Sequence, residues 1–140
     1  MSDSKRAPEG EVLLRTIAMP ADTNSNGDIF GGWIMAQMDS AGGMLAKEIA
    51  GGRVATVAAD AFKFIRPVSV GDTVSIHGRV ERYGTTSLRI ALEVWVRRPV
   101  HSSDGAEREF PVTRAEFTYV AIDEHGRKRA YEKPADLGRR

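Results

Sequence analysis

The chain has no cysteine among its 140 residues. This absence excludes disulfide bonds, cysteine nucleophiles and zinc–thiolate sites, and it leaves nothing that points to an oxidising compartment. A charge excess is missing as well, because 20 lysine and arginine residues stand against 19 aspartate and glutamate residues, for a formal net charge of +1. A partner recognised through bulk electrostatics, such as nucleic acid, is therefore excluded.

Long apolar runs are also absent. No segment approaches the roughly 20 apolar residues needed to cross a bilayer, and the first residues, MSDSKRAPEGE, lack the apolar centre of a signal peptide. The composition, 41% hydrophobic and 28% charged, is typical of a globular protein in water. We therefore expect a cytoplasmic protein with no membrane partner, and the length predicts one domain with a single core.

The two ends of the chain are polar and show no apolar periodicity. Residues 1–10 hold a proline and acidic residues, and residues 124–140, EHGRKRAYEKPADLGRR, are charged throughout. We expect both to be mobile tails outside the core, with the folded domain over residues 11–123. The basic cluster at 127–129 is interpreted as part of a solvated tail rather than as an anion site.

Between these ends, the periodicity of apolar residues predicts a strand, a long helix and four further strands. The ranges are 11–19 for the first strand, 30–50 for the helix, and 54–65, 73–83, 86–97 and 113–123 for the others. Within 86–97, apolar residues at 88, 90, 92, 94 and 96 alternate with mostly polar ones, so one face of the sheet should cover a core. Turn signals at 71–72 and 83–85 indicate that the strands after the helix form an antiparallel meander.

These elements predict an α+β fold. A curved antiparallel sheet of about five strands should wrap a single long central helix, which is the hotdog arrangement. A sheet of this kind leaves an edge strand with unpaired backbone groups, and a second copy of the chain can extend it.

Asp39 is a carboxylate on the inner side of the predicted helix. At about 100° per residue, its neighbours on that side are mostly very small: Gly32, Met35, Ala36, Gly42, Gly43 and Ala46. Glycine inside a helix costs roughly 1 kcal/mol relative to alanine, so another backbone or a thin ligand should approach this face closely. Asp39 is then either a buried aspartate paired with a backbone donor or an arginine, or a functional carboxylate.

Familiar catalytic and nucleotide-binding motifs are missing from the chain. It contains no GxGxxG, no GxxxxGK[ST] and no GxSxG sequence. The histidines, at positions 77, 101 and 125, lie far in sequence from the helix. Histidines and carboxylates are not clustered at the spacing of metal ligands, so no metal site is expected.

Three stretches of the chain resemble the YciA-like acyl-CoA thioesterases of the hotdog superfamily. They are LLRTIAMPADTNSNGDIFGGWIMAQMD, AKEIAGGRVATVAADAFKFIRPVSVGD and EVWV, and the resemblance covers residues 11–123. It implies an enzyme that hydrolyses fatty acyl-CoA, over a broad range of chain lengths, to free acid and coenzyme A. It also implies that no cofactor is used, since coenzyme A is part of the substrate, and that homodimers assemble into a hexamer, a trimer of dimers.

The same resemblance implies roles for individual residues. Asp39 matches the catalytic carboxylate of the family, Gly31 matches the glycine whose backbone amide polarises the thioester carbonyl, and Asn24 is similar to the loop amide that assists it. FKFIRPVSVGD matches a segment that lines the coenzyme A channel. The resemblance therefore implies that Arg66 contacts coenzyme A. Further contacts are expected from Thr85, Thr86 and Ser87 at the start of a strand, although three such residues are also typical of an ordinary turn.

Helix geometry adds an inference about assembly. Gly31 and Asp39 are eight residues apart, so at a rise of 1.5 Å per residue they lie about 12 Å apart along the helix. A reacting carbonyl must lie about 3 Å from both its oxyanion donor and its nucleophile or base. The site should therefore be shared, with Gly31 and Asn24 from one protomer and Asp39 from its partner, and the dimer should be the smallest active unit.

Two questions stay open at the level of the sequence. Asp39 either deprotonates water as a general base or attacks the thioester to give a mixed anhydride. A non-catalytic acyl-CoA sensor on the same fold is the alternative function, although such a protein is expected to lose the carboxylate. A dehydratase on this fold needs a histidine to shuttle the proton, and the sequence places none near the helix.

Overall fold

In the part of the chain that the structure describes, one α-helix and five strands form the fold, as the sequence predicts. The computed structural model describes residues 7–99 and 108–135. The elements are β1 Glu11–Ile17, a 3₁₀ turn Pro20–Asp22, α1 Gly31–Ala50, β2 Val54–Phe64, β3 Thr73–Tyr83, β4 Ser87–Arg97 and β5 Glu109–Ala121. The helix ends where glycine permits a left-handed residue: Gly51 has φ 70° and donates its N–H to the carbonyl of Lys47 at 3.0 Å.

The order of strands in the sheet is β1-β3-β4-β5-β2, and every neighbouring pair is antiparallel. The expected meander is therefore correct for β3, β4 and β5 and wrong for β2, which pairs with β5 instead of β3. The turn at 71–72 reverses the chain direction. The connection from β2 to β3 also passes β5 and β4, because β2 is at one edge of the sheet and β3 is next to the opposite edge strand, β1. Local turn signals report a change of direction and contain no information about which strand becomes the neighbour.

Strand β5 begins at Glu109, four residues before the predicted start at Thr113. Pro111 lies inside this extension and cannot donate a ladder hydrogen bond. The structure accommodates it opposite Trp95, where the register of β4 and β5 shifts between Val94 and Trp95. A bulge is one of the few places where a strand tolerates proline.

The core lies between the helix and the concave face of the sheet. The alternating apolar residues of β4 all face it and are at most 2% exposed: Leu88, Ile90, Leu92, Val94 and Val96. From the helix, the large side chains Ile34, Met38 and Leu45 complete the same cluster. The predicted face is buried as expected, but Glu93 and Trp95 on the opposite face are also buried, at 8% and 6% exposure, so burial is one-sided only in the first half of the strand. Packing of the helix on the predicted face fixes the orientation of the Asp39 side of the helix.

The described part of the segment expected to be a tail, residues 124–135, differs from that expectation. Tyr131 is buried against the core at 7% exposure, and its hydroxyl donates to the carbonyl of Ser87 at 2.8 Å. Arg129 donates from Nη2 to the carbonyl of Ala50 at 3.0 Å, at the end of the helix. The guanidinium satisfies a carbonyl at the helix end that has no partner within the helix. Because this contact is polar, the periodicity of apolar residues could not predict it.

Candidate active site

Asp39 lies on the side of the helix that faces β2 and β5, and its side chain is partly exposed. Two hydroxyl groups donate to the same carboxylate oxygen, Oδ1: Thr56 Oγ1 at 2.8 Å and the Tyr119 hydroxyl at 3.1 Å. Among the residues that the structure describes, no backbone N–H and no arginine, the partners considered from the sequence, bonds to this carboxylate. Thr56 and Tyr119 are opposite each other in the β2–β5 register, so both side chains leave the same face of the sheet toward the helix.

Tyr119 is the more firmly held of the two donors. Its side chain is 1% exposed, and its ring stacks against Phe117 with the centroids 6.3 Å apart. Burial, followed by the negative charge and hydrogen bond of Asp39, raises the pKa of Tyr119 far above its ordinary value. The hydroxyl therefore keeps its proton at any pH near neutrality and acts as a donor.

Tyr119 also explains one of the helix glycines. A Cβ atom at Gly42 would lie 2.4 Å from the Tyr119 hydroxyl and 3.1 Å from Cδ1 of Leu92. At Gly43 the same atom would meet the Tyr119 ring at 3.7 Å, an ordinary van der Waals distance. The close approach expected from the glycines is thus made at Gly42 by a side chain of β5, and not by a second backbone or a ligand.

We expect Gly42→Ala to destabilise the protein and Gly43→Ala to leave its stability equal or slightly higher. Alanine improves helix propensity by about 1 kcal/mol at either site, but at Gly42 the added methyl forces Tyr119 to move, and overpacking of this kind costs about 1–3 kcal/mol. The free energies of unfolding of the two variants, measured in urea, should therefore change in different directions. Equal stabilisation by both alanines would contradict the packing described around Gly42.

The helix begins at Gly31 with free backbone donors. Phe30 precedes it without a side-chain cap and donates its own N–H to the carbonyl of Asp22 at 3.0 Å. The N–H of Trp33 is satisfied by the carbonyl of Phe30 at 3.1 Å, whereas those of Gly31 and Gly32 bond to no residue in the described part of the chain. Two amides at the positive end of a 20-residue helix can stabilise a developing oxyanion.

Asn24 orders the loop before the helix. Its Oδ1 accepts from the backbone N–H groups of Asn26 at 2.8 Å and Asp28 at 3.1 Å, and its own backbone N–H donates to the carbonyl of Asp28 at 2.7 Å. The side-chain oxygen of Asn24 is therefore already hydrogen-bonded. Its amide nitrogen is exposed and donates to no residue among 7–99 and 108–135. The amide can therefore assist at the helix start.

One chain does not bring these groups together. Gly31 and Asp39 lie on one uninterrupted helix, eight residues and about 12 Å apart. Gly31 lies next to Phe64, since a Cβ atom built on Gly31 would be 3.7 Å from the Phe64 ring. Phe64 is the last residue of β2, whereas Thr56 is near the start of that strand. The donors of the helix start and the Asp39 carboxylate thus lie at different ends of the same protomer.

The predicted coenzyme A contacts are divided in the same way. Arg66 lies beside Val112, to whose carbonyl its backbone N–H donates at 3.4 Å, whereas Ser87 is paired with Val120. These two valines are eight residues apart on β5, about 26 Å along the strand. Within one chain, Arg66 is therefore at the end of Gly31, and Thr85, Thr86 and Ser87 are at the end of Asp39.

The other site types are not supported by the described residues. No group of three or more histidine and acidic side chains that could hold a metal occurs among them. His77 alternates on β3 with the buried Ile76, so it faces away from the helix, and His125 is in an exposed turn. His101 is outside the described residues. In the described part of the chain, no helix combines the length and apolarity required to span a membrane.

A carboxylate on a central helix, wrapped by a five-stranded antiparallel sheet, places the chain among the hotdog-fold hydrolases. Residues 26–101 match the thioesterase superfamily, and the chain belongs to this family. The acyl-CoA thioester hydrolase YciA of Escherichia coli K12 is 52% identical over 130 residues, which cover 93% of this chain and 97% of that protein.

Solved structures show the same relationship. A hexameric broad-specificity acyl-coenzyme A thioesterase is 50% identical and superposes with a TM-score of 0.85, covering 94% of this chain and 88% of that one. The hexameric thioesterase of Yersinia pestis is 48% identical with a TM-score of 0.82, covering 91% of this chain and 100% of that one. The expected fold class and the enzyme class are both confirmed.

Proposed function

We propose that this protein hydrolyses fatty acyl-CoA, over a broad range of chain lengths, to free acid and coenzyme A. The observation that carries the proposal is Asp39, a partly exposed carboxylate whose Oδ1 is held by Thr56 and Tyr119 and whose other oxygen accepts no bond within residues 7–99 and 108–135. The names of the similar proteins, which describe acyl-CoA thioester hydrolases, support the same substrate class.

In the proposed mechanism, the thioester carbonyl is polarised by the backbone amide of Gly31, assisted by the side-chain amide of Asn24. Asp39 then either takes a proton from an attacking water or attacks the carbonyl carbon itself. The thiolate of coenzyme A is a good leaving group, so no acid is required to expel it. The proposal includes no cofactor and no metal, and it places the enzyme in the cytoplasm, a reducing compartment that suits a chain without cysteine.

The proposed active unit is a dimer. Strand β2 is an edge of the sheet and exposes apolar side chains next to the site, with Val57 56% and Phe64 53% exposed in the single chain. Pairing of this edge with a second copy would cover them. Each site would then combine Asp39 and residues 85–87 of one protomer with Gly31, Asn24 and Arg66 of its partner. By analogy with the hexameric relatives, we propose a trimer of such dimers.

The direct test is hydrolysis of a chain-length series of acyl-CoA substrates, followed by a thiol reagent that detects free coenzyme A. We expect turnover across several chain lengths, and turnover at least about 100-fold slower by Asp39→Asn at the same protein concentration. Tight binding of acyl-CoA by the wild-type protein without release of thiol would instead favour the non-catalytic sensor.

Two substitutions separate the possible roles of Asn24. Asn24→Ala removes both the loop-ordering oxygen and the amide donor, whereas Asn24→Asp keeps an oxygen for the N–H groups of Asn26 and Asp28 and replaces the donor with a second, charged oxygen. We expect kcat/KM to fall about 10- to 100-fold in Asn24→Ala, less than for loss of a principal oxyanion donor. Asn24→Asp should lose at least as much, since it also places a charge near the oxyanion.

Steady-state kinetics of the two variants measures this comparison. Near-wild-type kcat/KM in Asn24→Asp, together with a loss in Asn24→Ala, would assign Asn24 to loop ordering alone.

A further inference from the structure

We propose that Tyr119 and Thr56 position the Asp39 carboxylate for reaction by holding Oδ1, so that Oδ2 is the oxygen that reacts. Neither residue was singled out by the sequence, because they lie 80 and 17 positions from Asp39. This inference rests on the proposed function, since positioning has a kinetic consequence only if Asp39 takes part in the reaction.

The asymmetry of the hydrogen bonds is the first support. Both hydroxyls lie within bonding distance of Oδ1, at 2.8 and 3.1 Å, and no described residue donates to Oδ2. A carboxylate without such bonds can exchange its two oxygens by rotation about χ2, which is a broad torsion. Two donors on one oxygen restrict that rotation, so the two oxygens keep distinct places and Oδ2 is the one left without a donor among the described residues.

One of the two donors, Tyr119, is itself held in place by burial, which is the second support. The Tyr119 ring is buried among Phe117 and the helix, and the missing side chain of Gly42 leaves room for its hydroxyl. This hydroxyl also lies 3.2 Å from the backbone carbonyl of Asp39 and has only one proton to donate. A charged carboxylate is the stronger acceptor of the two, so the bond to Oδ1 prevails.

Both possible reactions use the same oxygen. With Asp39 as base, Oδ2 receives a proton from water, the water oxygen bonds to the acyl carbon, and the electron pair of the breaking C–S bond leaves on sulfur. With Asp39 as nucleophile, Oδ2 itself bonds to the acyl carbon, the thiolate leaves, and water later cleaves the anhydride. In neither route does Tyr119 or Thr56 lose its proton, so both are positioning residues.

The test compares variants that remove one hydroxyl each. Tyr119→Phe and Thr56→Val should lower kcat by about 10-fold or more, as expected for the loss of a hydrogen bond to a charged group. KM should change less than about twofold, because neither residue is expected to contact the substrate. The double variant should lose more than either single one, and Thr56→Ser, which keeps the hydroxyl, should restore most of the activity.

Matched controls remove similar hydroxyls elsewhere. Tyr131→Phe deletes a buried hydroxyl that donates to the carbonyl of Ser87, and Thr118→Val alters the strand neighbour of Tyr119 on the outer face of the sheet. Both controls should keep wild-type kcat. Circular dichroism and thermal unfolding report whether each variant is folded, so a loss of kcat can be compared at equal folded fraction.

Each outcome is decisive. An active wild type together with unchanged kcat in Tyr119→Phe and Thr56→Val overturns the inference and leaves the proposed function intact. Equal losses in the two controls also overturn it, because the effect would then be structural. A wild type without thioesterase activity overturns the proposed function, and the positioning role is rejected with it.

Discussion

Replacing Asp39 by asparagine should lower kcat by at least about 100-fold, the low end of the range for a positioned acid–base group. The substitution removes the charge and basicity at nearly constant volume, and the amide oxygen of asparagine can still accept from Tyr119 and Thr56. The fold should therefore survive. Initial rates of thiol release at saturating acyl-CoA measure the effect.

Thermal unfolding and light scattering of Asp39→Asn serve as the controls, because they should match the wild-type values for stability and assembly. A variant that retains half of the wild-type kcat would remove Asp39 from the mechanism. Complete loss of assembly would mean that Asp39 has a structural role at the interface, since its neighbours on β2 are exposed in the single chain.

Mixing two variants of low activity should raise the activity above that of either variant alone. If Asp39 works with Gly31 and Asn24 of the partner subunit, each dimer has two composite sites. A mixed dimer of Asp39→Asn and Asn24→Asp chains then contains one site with both lesions and one with neither. Random pairing makes half of the dimers mixed, so the reassembled mixture should approach about one quarter of wild-type activity. The 12 Å separation along α1 is the physical reason for this expectation.

The complementation experiment requires that chains exchange. Differently tagged chains, denatured together and refolded, can be checked by native mass spectrometry before the rates are measured. Each variant refolded alone is the matched control and should stay at its own low activity. Exchanged mixtures with no recovered activity would show that the site lies within one chain, and the assignment of Gly31 as the oxyanion donor would have to be abandoned.

Local chemistry in the sequence was sufficient to predict the elements. The helix was expected at 30–50 and is found at Gly31–Ala50, and β3 occupies the predicted range 73–83. Alternation in β4 identified its buried face because side chains of a strand alternate between faces whatever its neighbours are. Asp39 could be recognised as unusual in a similar way. The period of a helix places it on the same side as the small residues, where a carboxylate is not expected.

Only the tertiary structure decided what Asp39 contacts. Its donors come from β2 and β5, and the pairing of these two strands, which places Thr56 opposite Tyr119, contradicts the expected meander. Strand order depends on long connections and on the closure of the sheet around the helix, which no local period records.

The sequence by itself therefore determined the helix, the strands and the placement of one carboxylate on an inward side, because these follow from periodicity and backbone propensity within about 20 residues. The tertiary structure decided the order of the sheet, the use of Gly42 to admit Tyr119, and the packing of Tyr131 against the core. These features join residues far apart in the chain, and such contacts are selected by the packing of the whole molecule.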